Sequence, residues 1–422
     1  MEKQYFTMDD FNFEGKTALI RVDINCPFNG KTGRIEDSDR IAAHAATIRE
    51  LSDKKAKVVV LAHQGRKGDP DFIPLQQHAS LLYSHIKKPV EYVDDLYGQK
   101  ALQKIDKIAN GDVILLQNTR FYDDETRKVE KPEDYSQTEM VRSLSKHADY
   151  FIMDGFSVAH RAQASTVGFP ELLPSCAGRV MQKELEGLHN ALDNAAHPNT
   201  YILGGAKPDD VIQLLKFACT SGAVDKILTS GVLGELCVAA KGTDLGPLKK
   251  QYFAEKGYDK LIPELAAYGS KYSSKIESPL DFAVEENGLR KEYGVGDLSQ
   301  KADGKSTYDI GALTISRYSS IIAASKTLYF KGPVGVYESP LFEKGTKDIL
   351  LAIQNSSAFK LVGGGHSLSA IEKFQIDKTK ISHISLAGGA VVEYLQGKAL
   401  PGVEALKNSY LRHGGTPSNE FL

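Results

Sequence analysis

A recurring unit constrains this chain most: a short apolar run, a polar turn, then residues at helical spacing. Thr17-Ala18-Leu19-Ile20-Arg21-Val22 is the first run, and it ends in Asp23-Ile24-Asn25-Cys26-Pro27. Val58-Val59-Val60-Leu61-Ala62 ends in His63-Gln64-Gly65-Arg66. Asp112-Val113-Ile114-Leu115-Leu116 ends in Gln117-Asn118-Thr119-Arg120. Asp149-Tyr150-Phe151-Ile152-Met153 ends in Asp154-Gly155-Phe156, followed by Ala159-His160-Arg161. A helix is expected over residues 38–51. Such alternation implies a parallel sheet covered by helices on both faces. In open sheets of that kind ligands bind beyond the carboxyl ends of the strands. Asp23, Asn25, His63, Arg66, Arg120 and Arg161 are therefore expected at one rim, with Arg40 nearby from the start of the helix.

That cationic rim is a local arrangement, because the 422 residues carry a formal net charge of only −2. Guanidinium groups bind phosphate and carboxylate in bidentate fashion, so the cluster suits a small ligand bearing both. Any single arginine would more readily pair with a surface carboxylate; four at strand ends make that reading weaker. The basic residues are dispersed elsewhere and not interleaved with aromatics, so nucleic-acid binding is not expected. No apolar run reaches the roughly 18–20 residues of a membrane-spanning helix. Met1-Glu2-Lys3-Gln4-Tyr5-Phe6 lacks the pattern of a secretory leader, and Cys26, Cys176, Cys219 and Cys237 form no CxxC pair, so a cytoplasmic protein with reduced thiols is expected. Gly15-Lys16-Thr17 imitates the tail of a P-loop but precedes a strand instead of following one.

Pro170-Glu171-Leu172-Leu173-Pro174-Ser175 reads as a boundary, followed by an amphipathic helix over about residues 177–195. A second βα series then begins. Tyr201-Ile202-Leu203 turns on Gly204-Gly205-Ala206-Lys207 into a helix, which places glycines and a lysine where backbone N–H groups can meet phosphate. Further strand ends carry Ser230-Gly231, then Lys331-Gly332-Pro333-Val334-Gly335-Val336-Tyr337-Glu338, then Gly363-Gly364-Gly365-His366-Ser367, then Leu386-Ala387-Gly388-Gly389. Glycine turns with few charged side chains suit a nucleotide. None has the GxGxxG spacing of a dinucleotide fold. A possible short strand at Leu280-Asp281-Phe282-Ala283-Val284 is the one element expected in the polar stretch of residues 275–308.

Taken together, Arg21-Val22-Asp23-Ile24-Asn25, residues 37–40, Ala62-His63-Gln64-Gly65-Arg66, Asn118-Thr119-Arg120-Phe121-Tyr122, Ala159-His160-Arg161, Gly204-Gly205-Ala206-Lys207, residues 332–338 and Gly363-Gly364-Gly365 resemble the phosphoglycerate kinase family, most closely its archaeal branch. The resemblance runs from about residue 12 to residue 406. It implies an α/β protein of two Rossmann-like parallel-sheet domains joined by a hinge helix. The expected division is 1–175 for the phosphoglycerate-binding domain, 176–197 for the helix, 198–400 for the nucleotide-binding domain, and 401–422 for a segment returning to the first domain.

The resemblance also implies the activity: reversible transfer of a phosphoryl group between ATP and the carboxylate of 3-phosphoglycerate, giving 1,3-bisphosphoglycerate and ADP, with Mg2+ accompanying the nucleotide. Asp23, Asn25, Arg40, His63, Arg66, Arg120 and Arg161 would hold the acceptor. Gly204, Gly205, Lys207, Gly231, Lys331, Pro333, Gly335, Val336, Glu338, Gly363, Gly364, Gly365, His366 and Ser367 would line the nucleotide. Arg40, Lys207 and the amides at Gly365 and Gly389 would act on the transferring group. The protein would work as a monomer or homodimer. Several positions depart from the family pattern. Val211 replaces a second lysine, His366 a metal-binding aspartate, Lys331 an asparagine, and Leu386-Ala387 a threonine and a glycine, so that one hydroxyl is lost. His366 leaves the metal to phosphates, water and a carboxylate such as Asp209 or Asp210. Two other readings stay open at this point: a relative acting on another carboxylate or nucleotide, and a binding protein of the same fold.

Overall fold

The computed structural model describes residues 4–301 and 305–414, except for the side chain of Asp210. The chain divides into two compact units, residues 1–185 with 398–422 and residues 186–397.

In the first unit the strands are β1 (Phe6–Thr7), β2 (Thr17–Arg21), β3 (Phe28–Asn29), β4 (Arg34–Ile35), β5 (Lys57–Leu61), β6 (Val90–Tyr92), β7 (Val113–Leu115), β8 (Tyr150–Met153) and β9 (Ser175–Ala177). Seven of them form one sheet in the order β1-β9-β8-β2-β5-β7-β6, every pairing parallel. Successive strands are added on one side of β2 and then, from β8, on the other. The order therefore reverses at β2, and the crevice beyond its carboxyl end is the expected ligand site of such a sheet. Strands buried on both faces read as continuous apolar runs, and Ala18, Leu19, Ile20, Val58, Val59 and Val60 are all 0–1% exposed. Between β2 and β5, helix Asp39–Asp53 starts at Ser38, whose hydroxyl accepts from the Ile41 N–H at 3.5 Å.

In the second unit β10 (Asn199–Leu203), β11 (Lys226–Thr229), β12 (Ile276–Glu277), β13 (Asp281–Glu286), β14 (Leu289–Gly294), β15 (Thr307–Ile310), β16 (Thr327–Lys331), β17 (Phe359–Gly363) and β18 (His383–Ser385) follow. Six form a second parallel sheet, β12-β11-β10-β16-β17-β18, which reverses between β10 and β16. Among the described residues no helix is long and apolar enough to cross a membrane.

Two expectations need correction. β13, β14 and β15 form a three-stranded antiparallel sheet, in the order β14-β13-β15, where one short strand was expected. Its hairpin turns on Asn287 and Gly288, with φ of 52° and 74°, the Asn-Gly pair that a two-residue primed turn requires. The division between the units, Leu185 to Glu186, falls within residues 176–197, the stretch expected to join the two domains; Ser175–Ala177, at its start, is a buried strand paired with β8. The helix expected over 177–195 spans Arg179–Ala191, its start set by the extended strand just before it. The helix Pro401–Arg412 lies in the first unit: Gly402 N–H donates to Ala159 O at 2.8 Å, and the Ser409 hydroxyl accepts from Ser175 N–H at 3.0 Å. Residues 415–422 of the expected returning segment lie outside the described residues.

Asp154 joins this frame to the β2 crevice. Its Oδ1 accepts from Val180 N–H at 2.9 Å, in the first turn of Arg179–Ala191, and its Oδ2 lies 2.6 Å from His44 Nδ1. Asp154→Ala would remove a helix cap and leave a buried imidazole N–H unpaired. Urea unfolding should show a loss of about 2–4 kcal/mol. Asp154→Asn keeps an acceptor oxygen and should lose less.

Candidate functional site

At the β2 crevice the side chains gather around one carboxylate. Asp23 is 3% exposed. Arg40 Nη1 lies 3.1 Å from its Oδ2, the Ser157 hydroxyl donates to the same oxygen, and Asn25 N–H donates to Oδ1 at 3.2 Å. Burial alone would raise this acid; Arg40 and the Ser157 hydrogen bond outweigh it and hold Asp23 well below the usual carboxylate range. The backbone is fixed too. Asp23 N–H donates to His44 Nε2 at 3.3 Å, which places the ring proton of His44 on Nδ1, toward Asp154.

The loop after β5 is clamped against the loop after β2. Asn25 Oδ1 accepts from Gly65 N–H at 2.9 Å, and the Gln64 amide pairs with both the N–H (2.8 Å) and the carbonyl (3.1 Å) of Cys26. Gly65 has φ +68°, and a Cβ there would fall 2.5 Å from Asp71 O. Asn118 extends the clamp to the loop after β7, donating to Gln64 O at 2.8 Å and accepting from Arg120 N–H at 3.1 Å. Arg120 Nη1 in turn donates to Gly65 O at 2.5 Å.

Of the expected acceptor residues, Asp23, Asn25, Arg40, His63 and Arg120 are linked by these bonds or by direct electrostatic influence. Burial, reinforced by Arg21 and Arg161, pulls Arg120 down to about 10, and Arg66 adds a smaller push. Arg161 also bears on His63 and Arg21, so it belongs to the same cluster. Its Nε donates to His160 Nε2 at 3.1 Å. Arg66 is exposed and has no carboxylate partner among the described residues.

Sequence reasoning missed the group beneath them. Arg21, at the end of β2, is 0% exposed. Its Nε donates to the Ser165 hydroxyl at 2.7 Å, and its Nη2 lies 3.1 Å from His63 Nδ1. Ser165 continues the chain of bonds, its hydroxyl donating at 2.7 Å to Glu125, which is also 0% exposed. A guanidinium can only donate, so His63 Nδ1 accepts and the ring proton sits on Nε2. Burial lowers His63 well below the usual histidine range; Asp23 opposes this, and Arg21, Arg120 and Arg161 add to it. His63 is thus a neutral imidazole with one N–H to offer. An arginine inside an apolar strand was the available signal, since arginine is almost never fully buried unless paired.

In the second unit the rim is made of backbone. Gly204 N–H donates to Lys331 O at 2.8 Å, Gly205 N–H to Pro333 O at 2.8 Å, and Gly231 N–H to Val334 O at 3.2 Å. The turns pack main chain on main chain: a Cβ on Gly204 would lie 2.5 Å from Pro333 O, and one on Gly332 2.4 Å from Gly204 O. Ser367, in the first turn of helix Gly365–Lys373, accepts from Gly332 N–H at 2.9 Å. The strand ends of β10, β11, β16 and β17 therefore meet. Helices Pro208–Thr220, Gly231–Ala240, Gly365–Lys373 and Gly389–Leu395 begin at this rim with no side-chain cap. The first N–H groups of Pro208–Thr220, Gly365–Lys373 and Gly389–Leu395 remain available to an anion, whereas Gly231 and Val232 N–H are taken by Val334 O and Gly205 O. Pro208 is at the first helical position, where a missing N–H matters least.

Lys207, just ahead of that helix, is exposed and has no carboxylate partner among the described residues. Val336 is 43% exposed, and Glu338, Gly365, His366 and Gly389 are exposed, whereas Pro333 and Gly363 are buried. Val336 N–H donates to Tyr308 O at 2.8 Å; Tyr308, which sequence reasoning also missed, is 39% exposed beside it. No group of three or more His, Cys, Asp or Glu that could hold a metal is present among the described residues. Asp209 is exposed, and the Asp210 side chain lies outside those residues. The donors at this rim are N–H groups and lysine, which suit phosphate, not Mg2+.

Comparison with known proteins follows the same outline. The family model described as "Phosphoglycerate kinase" matches residues 8–398. The phosphoglycerate kinase of Methanothermus fervidus is 41% identical over 409 residues, covering 97% of this chain and 98% of that protein. That of Methanobacterium bryantii is 42% identical over 406 residues, covering 96% and 98%. The crystal structure of phosphoglycerate kinase from Pyrococcus horikoshii OT3 superposes with a TM-score of 0.87 at 35% identity, over 96% of this chain and 100% of that one.

The buried pair generates a test. Arg21→Met would leave Glu125 without its cation and should lower stability by about 3–5 kcal/mol. Adding Glu125→Gln should recover most of that loss in urea unfolding. A double variant no more stable than the single would show that charge balance is not what holds Arg21 in place.

Proposed function

The chain belongs to the phosphoglycerate kinase family, and from that premise we propose how its two rims divide the work of phosphoryl transfer between ATP and the carboxylate of 3-phosphoglycerate. The first unit binds the acceptor. Arg66, Arg120 and Arg161 supply forked donors to its phosphate and carboxylate, the Nε2–H of His63 adds a neutral donor, and ionised Asp23 accepts from its hydroxyl. Asn25 holds the Gly65 turn so that these groups stay in register. Asp23 holds Arg40 by an ion pair at 3.1 Å, which fixes a cation beside the carboxylate that receives the phosphoryl group.

The second unit binds the nucleotide. Gly204, Gly205 and Gly231 let main chain approach the phosphates, and Lys207 supplies a mobile charge. The uncapped N–H groups at Gly365, His366, Ser367 and Gly389 stabilise charge developing on the phosphoryl oxygens. Lys331, Pro333, Gly335, Val336 and Glu338, with Gly363 and Gly364, complete the nucleotide side, where Glu338 meets the ribose hydroxyls. Magnesium enters as part of the substrate Mg-ATP, held by phosphates and water; no residue cluster is assigned to it, and no step is routed through it. Phosphoryl transfer needs in-line positioning and fixed positive charge more than proton transfer. Excluding water protects the acyl phosphate from hydrolysis.

The observation that carries this reading is the acceptor rim: a guanidinium cluster set around one ionised carboxylate and one neutral imidazole. It favours a phosphate-bearing carboxylate over an unphosphorylated one, and family membership favours 3-phosphoglycerate. Soluble phosphorylated substrates and four free thiols support a cytoplasmic location. One chain carries both rims, so a monomer or a homodimer would serve equally.

Lys207→Ala tests the division of labour. Steady-state turnover should fall about 10²–10³-fold, while binding of 3-phosphoglycerate measured by calorimetry stays unchanged. Arg120→Ala should do the converse, raising the KM for 3-phosphoglycerate and sparing nucleotide binding. Unchanged turnover in Lys207→Ala would remove the lysine from the chemical step.

A further inference from the structure

Behind the loop that carries Gly335, Val336 and Glu338 lies a carboxylate that none of these steps uses. Asp309, on β15, is 2% exposed. Its Oδ2 accepts from Gly345 N–H at 2.8 Å, in the first turn of helix Lys344–Asn355, and from Arg290 Nη1 at 2.8 Å. Arg290 stands on β14 and reaches past β13, which lies between the two strands. It also donates to Ile310 O at 2.8 Å and to Leu341 O at 3.4 Å, the latter in the segment following Glu338.

The other oxygen, Oδ1, has no hydrogen-bond partner among the described residues. Main chain encloses it instead: a Cβ on Gly335 or on Gly345 would fall 2.2 Å from Oδ1 in either case. Neither glycine has a positive φ, so backbone conformation does not demand glycine at these two positions. Close approach does: Oδ1 is the nearest atom at both, with Asp309 Cα at 2.8 Å also in the way at Gly335 and Ile310 Cγ1 at 2.8 Å at Gly345. A helix cap needs only Oδ2. The second oxygen accounts for two glycines at the base of one loop, and that loop's next residue, Val336, is bonded to Asp309's neighbour Tyr308.

We propose that Asp309 is a positioning residue for nucleotide binding: locked by Arg290 and the Gly345 N–H, it sets how closely the Gly335 turn approaches β15, and thereby where Val336 and Glu338 stand. The inference rests on the nucleotide reading of that loop given above.

The charged groups around Asp309 are few. Arg290 comes from β14 with Glu292 at 2.9 Å behind it. Glu343 and Lys344 precede Gly345 but pair with Lys373 at 3.0 Å and Asp348 at 2.5 Å. Glu235, on Gly231–Ala240, meets the other end of β15 at Thr307 and pairs with Lys249 at 2.8 Å. β13 presents Ala283 opposite Asp309. Burial pushes Asp309 up to about 6, against the pull of the Gly345 N–H and Arg290. The carboxylate is therefore ionised above that pH and is lost below it.

Steady-state kinetics of the full chain test the proposal. Asp309→Asn should raise the KM for ATP about tenfold, with kcat and the KM for 3-phosphoglycerate within about twofold. The rise in that KM as pH falls through about 6, beyond what ATP's own titration imposes, should be present in the parent and absent in the variant. Gly335→Ala, which leaves Asp309 in place, should also raise the KM for ATP, and its effect should shrink on an Asp309→Ala background, where the nearest atom it strikes, Oδ1 at 2.2 Å, is gone and only Asp309 Cα at 2.8 Å remains. Additive effects, or a loss of thermal stability with the KM for ATP unchanged, would overturn the proposal and leave Asp309 a helix cap. Glu338→Ala separates the two layers. If it leaves the KM for ATP unchanged, the nucleotide reading of the loop falls and the proposal with it. If it raises that KM while Asp309→Asn and Gly335→Ala do not, the positioning role alone falls.

Discussion

Like charges gathered at one rim repel, and the acceptor side of this protein can fold because two buried carboxylates stand among its cations. Asp23 faces Arg40 at 3.1 Å, and Glu125 reaches Arg21 through Ser165. Each carboxylate is fixed in turn. The backbone of Asp23 is held by His44, and that histidine is held by Asp154, which also caps the helix leading out of the first unit. Removing any one group would leave a charge or a buried donor uncompensated, which in a low-dielectric interior is more damaging than never having had the pair. The arginines left over, Arg66, Arg120 and Arg161, remain a net positive surface for a doubly anionic ligand.

The second unit meets the same demand, binding an anion, by a different route. Its rim is assembled from glycines whose main chains touch, and from helices whose first N–H groups have no side-chain cap. Charge enters there through Lys207. Such a rim has little electrostatic self-repulsion to overcome, but it depends on backbone geometry being held from behind. Asp309 and Arg290, beneath the 335–345 loop, are the clearest instance. A side-chain site and a main-chain site thus face opposite folding problems: the first must balance charge, the second must fix shape.

What was legible in the sequence follows from these differences. The strand ends of the acceptor rim were readable because apolar runs stop abruptly at polar residues, and a parallel sheet sends those ends to one edge. Gly204-Gly205-Ala206-Lys207 was readable because paired glycines at a strand end mark a tight turn and a close backbone approach. Arg21 was not, since it sits inside an apolar run and its partners Ser165 and Glu125 are more than a hundred residues away in the chain. Asp309 was hidden likewise, because it falls just beyond a long polar stretch with little apolar periodicity. Of its sheet only the central strand was legible, as the apolar residues of 280–284; the strands beside it, joined through Asn287-Gly288 and the polar stretch beyond, are too charged to alternate cleanly. The strand Ser175–Ala177 is too short for periodicity to reveal, so the helix after it was expected to begin two residues early.

Joint action of the two rims, transferring a phosphoryl group between ATP and 3-phosphoglycerate, is open to one direct measurement. It is a coupled assay of the full chain with 3-phosphoglycerate, Mg-ATP and a dehydrogenase that consumes 1,3-bisphosphoglycerate. Turnover of roughly 1–100 per second, the usual range for kinases, is the result expected. Background turnover by a folded chain that still binds both substrates would contradict it.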